Sequence, residues 1–230
     1  MTTNRGTFSR NVFAFLEELQ ANNARDWFNA NKQRYETSVR EPAREFIRNM
    51  EPRIRGVSKQ LIADDRKAGG SLMRIYRDVR FSKDKSPYKT NVGIQFRHRA
   101  GKDVHAPALY VHLEPDDVFV GVGIWHPDAP SLQGIRAKID DEPDRWRSLL
   151  SRKRFAGRFT LGGESLKTAP RAYSKDHPLI NDLKRKDFIA VADLSRAAVI
   201  SPSFEDTVTE HLTDAADFMR FLCEAVGQPF

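Results

Sequence analysis

The sequence contains one cysteine, Cys223, among its 230 residues, so no disulfide bond can form within the chain. It also lacks an apolar run of the roughly 20 residues that cross a membrane, and its first ten residues, MTTNRGTFSR, lack the apolar stretch of a secretory signal. These absences predict a soluble, cytoplasmic protein with no membrane partner. Cys223 falls in an amphipathic segment, which predicts a buried structural thiol.

Familiar catalytic signatures are missing as well. The chain has no GxGxxG, Walker, GxSxG, HExxH or CxxC motif, so nucleotide-fold, serine-hydrolase and zinc-finger assignments lose their usual support. His112 and Glu114 would share one strand face, and His126 or His105 could complete a metal set, but no second spaced pair accompanies them. We therefore predict no metal site. The sequence identifies no cofactor and leaves open whether the protein is an enzyme.

What the chain has in excess is positive charge, and the excess is local. Residues 74–102 contain nine lysines and arginines against two acids, Asp78 and Asp84. The resulting excess of seven equals the net charge of +7 for the whole chain, so the remaining charges cancel. Charge concentrated in this way predicts an anionic partner, whereas dispersed charge would mainly affect solubility.

Residues 72–81 alternate between apolar and polar side chains, as a half-buried strand does. One face would carry Met73, Ile75, Val79 and Phe81, and the other Arg74, Tyr76, Asp78 and Arg80. Arg77 falls on the apolar face, where an unpaired guanidinium is too costly, so we predict a buried Arg77 that meets a carboxylate or a bound anion. Residues 82–87 have turn composition, which predicts that the next loop displays Lys85 and Tyr88.

Three further strands are predicted at residues 92–97, 109–113 and 118–124, with a hairpin turn at 114–117. If these strands pair as a meander with 72–81, their non-apolar faces form one surface that carries Arg97, Tyr110, His112, Glu114 and Trp125. Glycines 121 and 123 would leave room on this surface for a ligand, or would accommodate a packed helix. Arg74, Asp78 and Arg80 should then converge with His112 and Glu114.

Helical patterns flank this region. Apolar residues recur at helical spacing before residue 68 and after residue 130, and residues 203–226 form the strongest predicted helix. We expect one domain over residues 1–230, with 1–68 helical, 72–125 an antiparallel sheet and 130–230 mainly helical. The fold class is α+β, with a central antiparallel sheet of about four strands and helices on its apolar face.

Several segments also resemble a known family. The pattern Arg74-x-x-Arg77-Asp78-x-Arg80-Phe81, followed by Asp84-Lys85-x-x-Tyr88, resembles the signature of domain of unknown function 2461, found in bacteria and fungi. The segments RDWFNANKQRY, YVHLEP, GVGIW and LKTAPRAY are similar to other blocks of that family, so the resemblance covers nearly the whole chain. It implies no reaction, because the family has none established.

The functional hypothesis is a basic sheet face that binds a phosphate- or carboxylate-bearing ligand. Arg74, Arg77, Arg80 and Lys85 would neutralise charge, Asp78 would orient an arginine, and Tyr88 would donate a hydrogen bond. In an enzyme, His112 or Glu114 would act as the base in hydrolysis or transfer at a phosphoester. One alternative is a non-specific nucleic-acid-binding module, to which the basic stretch 145–163 could contribute. The other is a structural ion network of Arg77, Asp78 and Arg80 with no site.

Overall fold

The computed structural model describes residues 6–101 and 105–230. Its helices are α1 Asn11–Ala21, α2 Arg25–Ala30, α3 Lys32–Tyr35, α4 Glu41–Val57, α5 Ala129–Asp141, α6 Pro143–Ser151, α7 Lys153–Ala156, α8 Ile180–Leu183, α9 Arg196–Val199, α10 Phe204–Asp214 and α11 Ala216–Ala225, with a π-helical turn at Glu36–Arg40. Its strands are β1 Leu61–Ile62, β2 Val92–His98, β3 Ala108–Leu113, β4 Val118–Ile124, β5 Thr160–Gly162 and β6 Phe188–Asp193.

In this described part of the chain, the six strands form one antiparallel sheet in the order β1-β2-β3-β4-β6-β5. The central register pairs Gln95 with Tyr110, and Tyr110 with Gly121. Aliphatic and aromatic core residues of the three central strands alternate with polar residues in β3 and with Phe119 and glycines in β4. The core face meets the helices, since the Phe46 ring of α4 lies 6.3 Å from the Phe96 ring. The predicted α+β class with a central antiparallel sheet is confirmed.

Three of the four predicted strands are confirmed at β2, β3 and β4, but the first is wrong. Residues 72–81 contain only two isolated bridges, Leu72 with Ile94 and Tyr76 with Tyr88. The bridge of Leu72 with Ile94 continues the edge that β1 begins on β2, so the predicted antiparallel pairing is correct there although the strand is irregular. Pairing stops at Pro87, which has no N–H to donate to the next rung.

The predicted apolar face of residues 72–81 is also wrong in part. Ile75 is buried, but Met73 is exposed, and the Phe81 side chain, at 95% exposure, points into solvent. Phe81 lies beyond the hydrogen-bonded pairing. Met73 lies within it, since its N–H donates to Gly93 O at 2.9 Å, but Leu72, which pairs with the buried Ile94, takes the apolar face in its place.

The regions outside the central strands contain elements that the sequence analysis did not predict. Strand β1 lies in the helical N-terminal part, and β5 and β6 lie in the part expected to be mainly helical. The predicted helix 203–226 is two helices, because Ala215, with φ −92° and ψ −1°, interrupts it between α10 and α11.

The buried apolar side chains from Phe8 to Leu222 form one contiguous cluster, as expected for a single domain of this length, although the single-domain organisation stays a prediction. Cys223 belongs to the buried residues, and burial raises the pKa of its thiol to about 12. Among the described residues, no helix combines the length and apolarity that a membrane crossing requires.

Candidate anion-binding site

A loop of residues 78–86 projects from the sheet edge, and backbone hydrogen bonds close its base. Arg77 N donates to Pro87 O at 3.0 Å, and Lys89 N donates to Ile75 O at 2.7 Å. Beyond this base the chain is held by its own side chains, since Lys85 Nζ donates to the Val79 carbonyl at 2.9 Å. Lys85 therefore stabilises the loop in this structure.

Arg77 pairs with Asp84 across the loop, so the predicted carboxylate partner is present. The predicted burial is wrong: 29% of the Arg77 side chain remains exposed, because the residue lies at the loop base and not on a strand face. The Ser86 hydroxyl and the Arg77 guanidinium hold the pKa of Asp84 below its usual range. Removing Arg77 should therefore destabilise the protein much less than removing one member of a buried ion pair would.

Asp78 and Arg80 form a separate pair, with Asp78 Oδ2 2.6 Å from the Arg80 guanidinium. This contact lowers the pKa of Asp78. Both side chains are exposed, and the guanidinium lies 5.9 Å from the centre of the exposed Phe81 ring. Arg77, Asp78 and Arg80 thus belong to two local pairs and not to one network.

We expect Arg80→Ala to leave the urea unfolding midpoint of the protein unchanged within error. The pair with Asp78 is local and exposed to solvent, and such pairs contribute little to stability. Equilibrium unfolding followed by circular dichroism measures this. A clear fall in the midpoint would contradict the exposed position of Arg80.

Tyr88 is buried, although the sequence analysis predicted that a loop displays it. Its ring stacks on Phe28 of α2 with the centroids 4.1 Å apart. Asn23 fixes the backbone at this point, because its amide nitrogen donates to Tyr88 O at 3.0 Å and its carbonyl accepts from Tyr88 N at 3.1 Å. Burial raises the pKa of the Tyr88 hydroxyl, so the phenol keeps its proton.

Helix α2 and the base of the loop enclose a cleft of about 280 Å³, which we call the hairpin cleft. Its lining residues are Arg25, Asn29, Tyr76, Arg77, Val79, Pro87 and Tyr88. No carboxylate is among them. Within residues 6–101 and 105–230, no hydrogen bond or ion pair engages the guanidinium of Arg25, the amide of Asn29 or either phenol hydroxyl. The cleft therefore has hydrogen-bond donors to offer.

A second group of polar residues lies on the open face of β3, as the alternation predicted. The Tyr110 hydroxyl is 3.1 Å from His112 Nδ1, and His112 Nε2 is 3.2 Å from Glu114 Oε2. Thr90 donates a 2.7 Å hydrogen bond to the other carboxylate oxygen of Glu114. Burial raises the pKa of Tyr110 to about 12.

The predicted convergence of Arg74, Asp78 and Arg80 with this group on a single ligand stays a prediction. Within the described ranges, no hydrogen bond or ion pair joins them to His112 or Glu114. The prediction depended on regular alternation of side chains between the two sheet faces through residues 72–81, and this alternation does not hold where the chain leaves the sheet.

Arg97 and Trp125 also lie apart from the hairpin cleft. Arg97 donates to Gly69 O at 3.0 Å and lines a larger hollow of about 670 Å³ near Gly101. That hollow contains the carboxylate of Asp64, whose pKa is lowered by its hydrogen bond to Arg66, so it suits an anion less well than the carboxylate-free cleft. Trp125 is exposed at the end of β4. Lys102, the last residue of the basic segment, lies outside the described residues.

Three arginines of the second basic stretch pair with acids of the last two helices, α10 and α11. Arg145 pairs with Glu224 at 2.7 Å, Arg152 pairs with Asp217, and Arg158 pairs with Asp214 at 3.1 Å. These arginines link α6, its junction with α7 and the segment after α7 to α10 and α11. They therefore do not extend a basic surface.

Sequence reasoning included Arg77 and Tyr88 among the ligand-binding residues but missed Arg25 and Asn29. Both lie on α2, about 50 residues earlier in the chain, on the exposed side of a helix whose Phe28 is buried. The available sequence signal was that both residues lie in RDWFNANKQRY, a segment similar to one of the family's blocks.

The fold and the hairpin cleft define an α+β protein whose N-terminal helices and sheet edge together enclose a candidate anion site. The chain belongs to the family described as conserved hypothetical protein (DUF2461), whose model matches residues 11–221. The predicted family membership is thereby confirmed. Comparison with curated proteins and with solved structures finds no match.

Proposed function

We propose that this protein binds a small phosphate- or carboxylate-bearing molecule in the hairpin cleft. The observation that carries the proposal is a cleft lined by two guanidiniums, an amide and two phenols, with no lining carboxylate. A guanidinium presents a planar fork of N–H donors that matches the oxygens of a phosphate or carboxylate. Neutral phenols and the Asn29 amide add donors without adding charge.

Arg77 can contribute to binding while keeping its pair with Asp84. Only Nη1 of its guanidinium contacts that carboxylate, and an arginine has five N–H donors. Arg25 has no carboxylate partner in the described part of the chain, so its charge is available. The cleft, at about 280 Å³, is near the lower limit of small-molecule sites, which favours a ligand of a few heavy-atom groups over a polymer.

The nucleic-acid alternative has less support. Arg74, Lys83 and Lys89 have no carboxylate partner among the described residues, but the arginines of the 145–163 stretch are paired with acids. A continuous basic face of the kind that tracks a phosphate backbone would need both segments. Binding of a labelled DNA or RNA strand at low salt would favour this alternative if its affinity falls with salt concentration and falls less steeply in Lys83→Ala/Lys89→Ala.

The enzymatic form of the hypothesis meets a geometric obstacle at His112. Both of its ring nitrogens already have partners, Tyr110 on one side and Glu114 on the other. A base must reach the proton that it removes, so His112 would first have to leave Glu114. The proposal is therefore binding, with no catalytic step assigned to His112 or Glu114.

Calorimetric titration tests the proposal, with inorganic phosphate, pyrophosphate and succinate as ligands. We expect Arg25→Ala to weaken binding of the preferred anion by about tenfold or more, because a charge-assisted hydrogen bond contributes roughly 1.5 to 3 kcal/mol. Arg80→Ala is the matched control, since it removes the same charge from the neighbouring loop and leaves the cleft lining intact.

Two results would overturn the proposal. One is wild-type protein that binds none of the three anions at millimolar concentration. The other is an equal loss in Arg80→Ala and Arg25→Ala, which would show that binding follows overall charge or the loop tip.

A further inference from the structure

The turn between β3 and β4 brings three metal-ligating side chains together. His112, Glu114 and Asp117 each offer one ligand atom, and these atoms all lie within 4.8 Å of one another. The turn is tight, because Glu114 N donates to Asp117 O at 2.9 Å. Ligand atoms bonded to one ion at about 2.0 to 2.2 Å are roughly 3 to 4 Å from one another, so these side chains need only small movements to surround an ion.

Residues outside the trio hold two of its members in place. The imidazole of His112 stacks on Phe119 with the ring centres 4.7 Å apart and the planes 8° from parallel. The Tyr110 hydroxyl contacts His112 Nδ1, which leaves Nε2 directed at Glu114. Thr90 holds Glu114 from the β2 side. Hydrogen bonds of this kind to metal-ligating histidines and carboxylates orient the ligands before the ion arrives.

We propose that His112 Nε2 and the carboxylates of Glu114 and Asp117 form a binding site for a divalent transition-metal ion. One imidazole nitrogen with two carboxylate oxygens suits zinc, manganese, iron(II) or cobalt, whereas calcium and magnesium prefer oxygen ligands alone. The ion takes the position between Nε2 and Glu114. Nε2 binds an ion only through its lone pair, so the ring hydrogen is then on Nδ1, which donates a hydrogen bond to the Tyr110 oxygen.

Other histidine–carboxylate contacts in the described ranges lack the third ligand. His177 Nε2 lies 3.0 Å from Asp140, and His126 Nδ1 lies 3.3 Å from Asp187, but no second carboxylate completes either pair into a group of three. The exposed Asp117 therefore distinguishes the β3–β4 site. This inference is independent of the anion proposal, because it uses none of the residues that line the hairpin cleft.

Cobalt(II) titration of protein stripped with EDTA, followed by visible absorption, tests the site. We expect one equivalent to bind to the wild type and no saturable binding to His112→Ala. Binding to Asp117→Asn should be at least about tenfold weaker. His177→Ala, which removes a paired histidine elsewhere, should bind as the wild type does. Asp117 is exposed, so its variant should fold normally, and circular dichroism verifies this.

The proposal is overturned if Asp117→Asn and His112→Ala bind cobalt(II) as tightly as the wild type, or if the wild type binds no more than those variants do. Competition checks the metal class. Zinc should displace cobalt, and displacement by calcium in preference to zinc would contradict the assignment of an imidazole ligand.

Discussion

Gly123→Ala is expected to destabilise the protein by about 3 kcal/mol or more, from backbone strain together with overpacking. Gly123 has a φ of +116°, a conformation that residues with a side chain rarely adopt. A Cβ atom at this position would lie 2.1 Å from the carbonyl oxygen of Phe188 on the neighbouring strand β6. Backbone at the centre of a sheet cannot move away without breaking the pairing of β4 with β6. Equilibrium unfolding in urea measures the loss.

Gly121→Ala is the matched control on the same strand. Its added Cβ would meet nothing closer than 3.7 Å, so its stability should stay within about 1 kcal/mol of the wild type. The sequence analysis treated both glycines alike, as leaving room on the sheet face for a ligand or for a packed helix. The structure separates them, because Gly123 is required for close approach of two strands and Gly121 is not. Equal stabilities of the two variants would contradict this distinction.

Asp187→Ala is expected to lower the free energy of unfolding by about 2 to 4 kcal/mol, because a buried carboxylate accepts hydrogen bonds that no other group can replace. The Asp187 side chain is 1% exposed. It accepts hydrogen bonds from His126 N at 2.7 Å and from Glu164 N at 2.8 Å. It thereby joins the end of β4, where His126 has a φ of +49°, to the segment after β5. Urea unfolding measures the change.

Asp193→Ala is the control for this prediction, since Asp193 is an exposed aspartate at the other end of β6. We expect no more than about 0.5 kcal/mol for it. Asp187→Asn keeps one acceptor oxygen, so its loss in free energy of unfolding should lie between those of the two alanine variants. A loss in Asp187→Ala as small as that in Asp193→Ala would show that water replaces the carboxylate.

The central strands could be predicted because their side chains obey a period of two on both faces. In β3, Leu109, Val111 and Leu113 are buried and the residues between them are not. The same alternation failed in residues 72–81, because local pattern does not report where hydrogen-bonded pairing ends. Strand β6 was missed within a region whose other segments are helical, although it alternates in the same way.

In the candidate sites, too, only the contacts that follow from strand geometry could be predicted. His112 and Glu114 share a strand face, and strand geometry alone predicts their contact. Asp117 lies in the turn, where the alternation of side chains between the two sheet faces does not apply. Arg25 reaches the hairpin cleft only because α2 packs against Tyr88, a contact between residues far apart in sequence. The neutralisation of the second basic stretch could not be predicted either. The arginines of residues 145–163 and their acid partners on α10 and α11 are some 60 residues apart in sequence.

NMR titration with inorganic phosphate, followed on the Nε–Hε signals of the arginine side chains, tests the central claim most directly. Binding in the hairpin cleft predicts saturable shifts of the Arg25 and Arg77 signals at one common dissociation constant, with Arg145 and Arg158 unmoved. Shifts spread evenly over Arg77, Arg80, Arg145 and Arg158, with Arg25 unmoved, would contradict it.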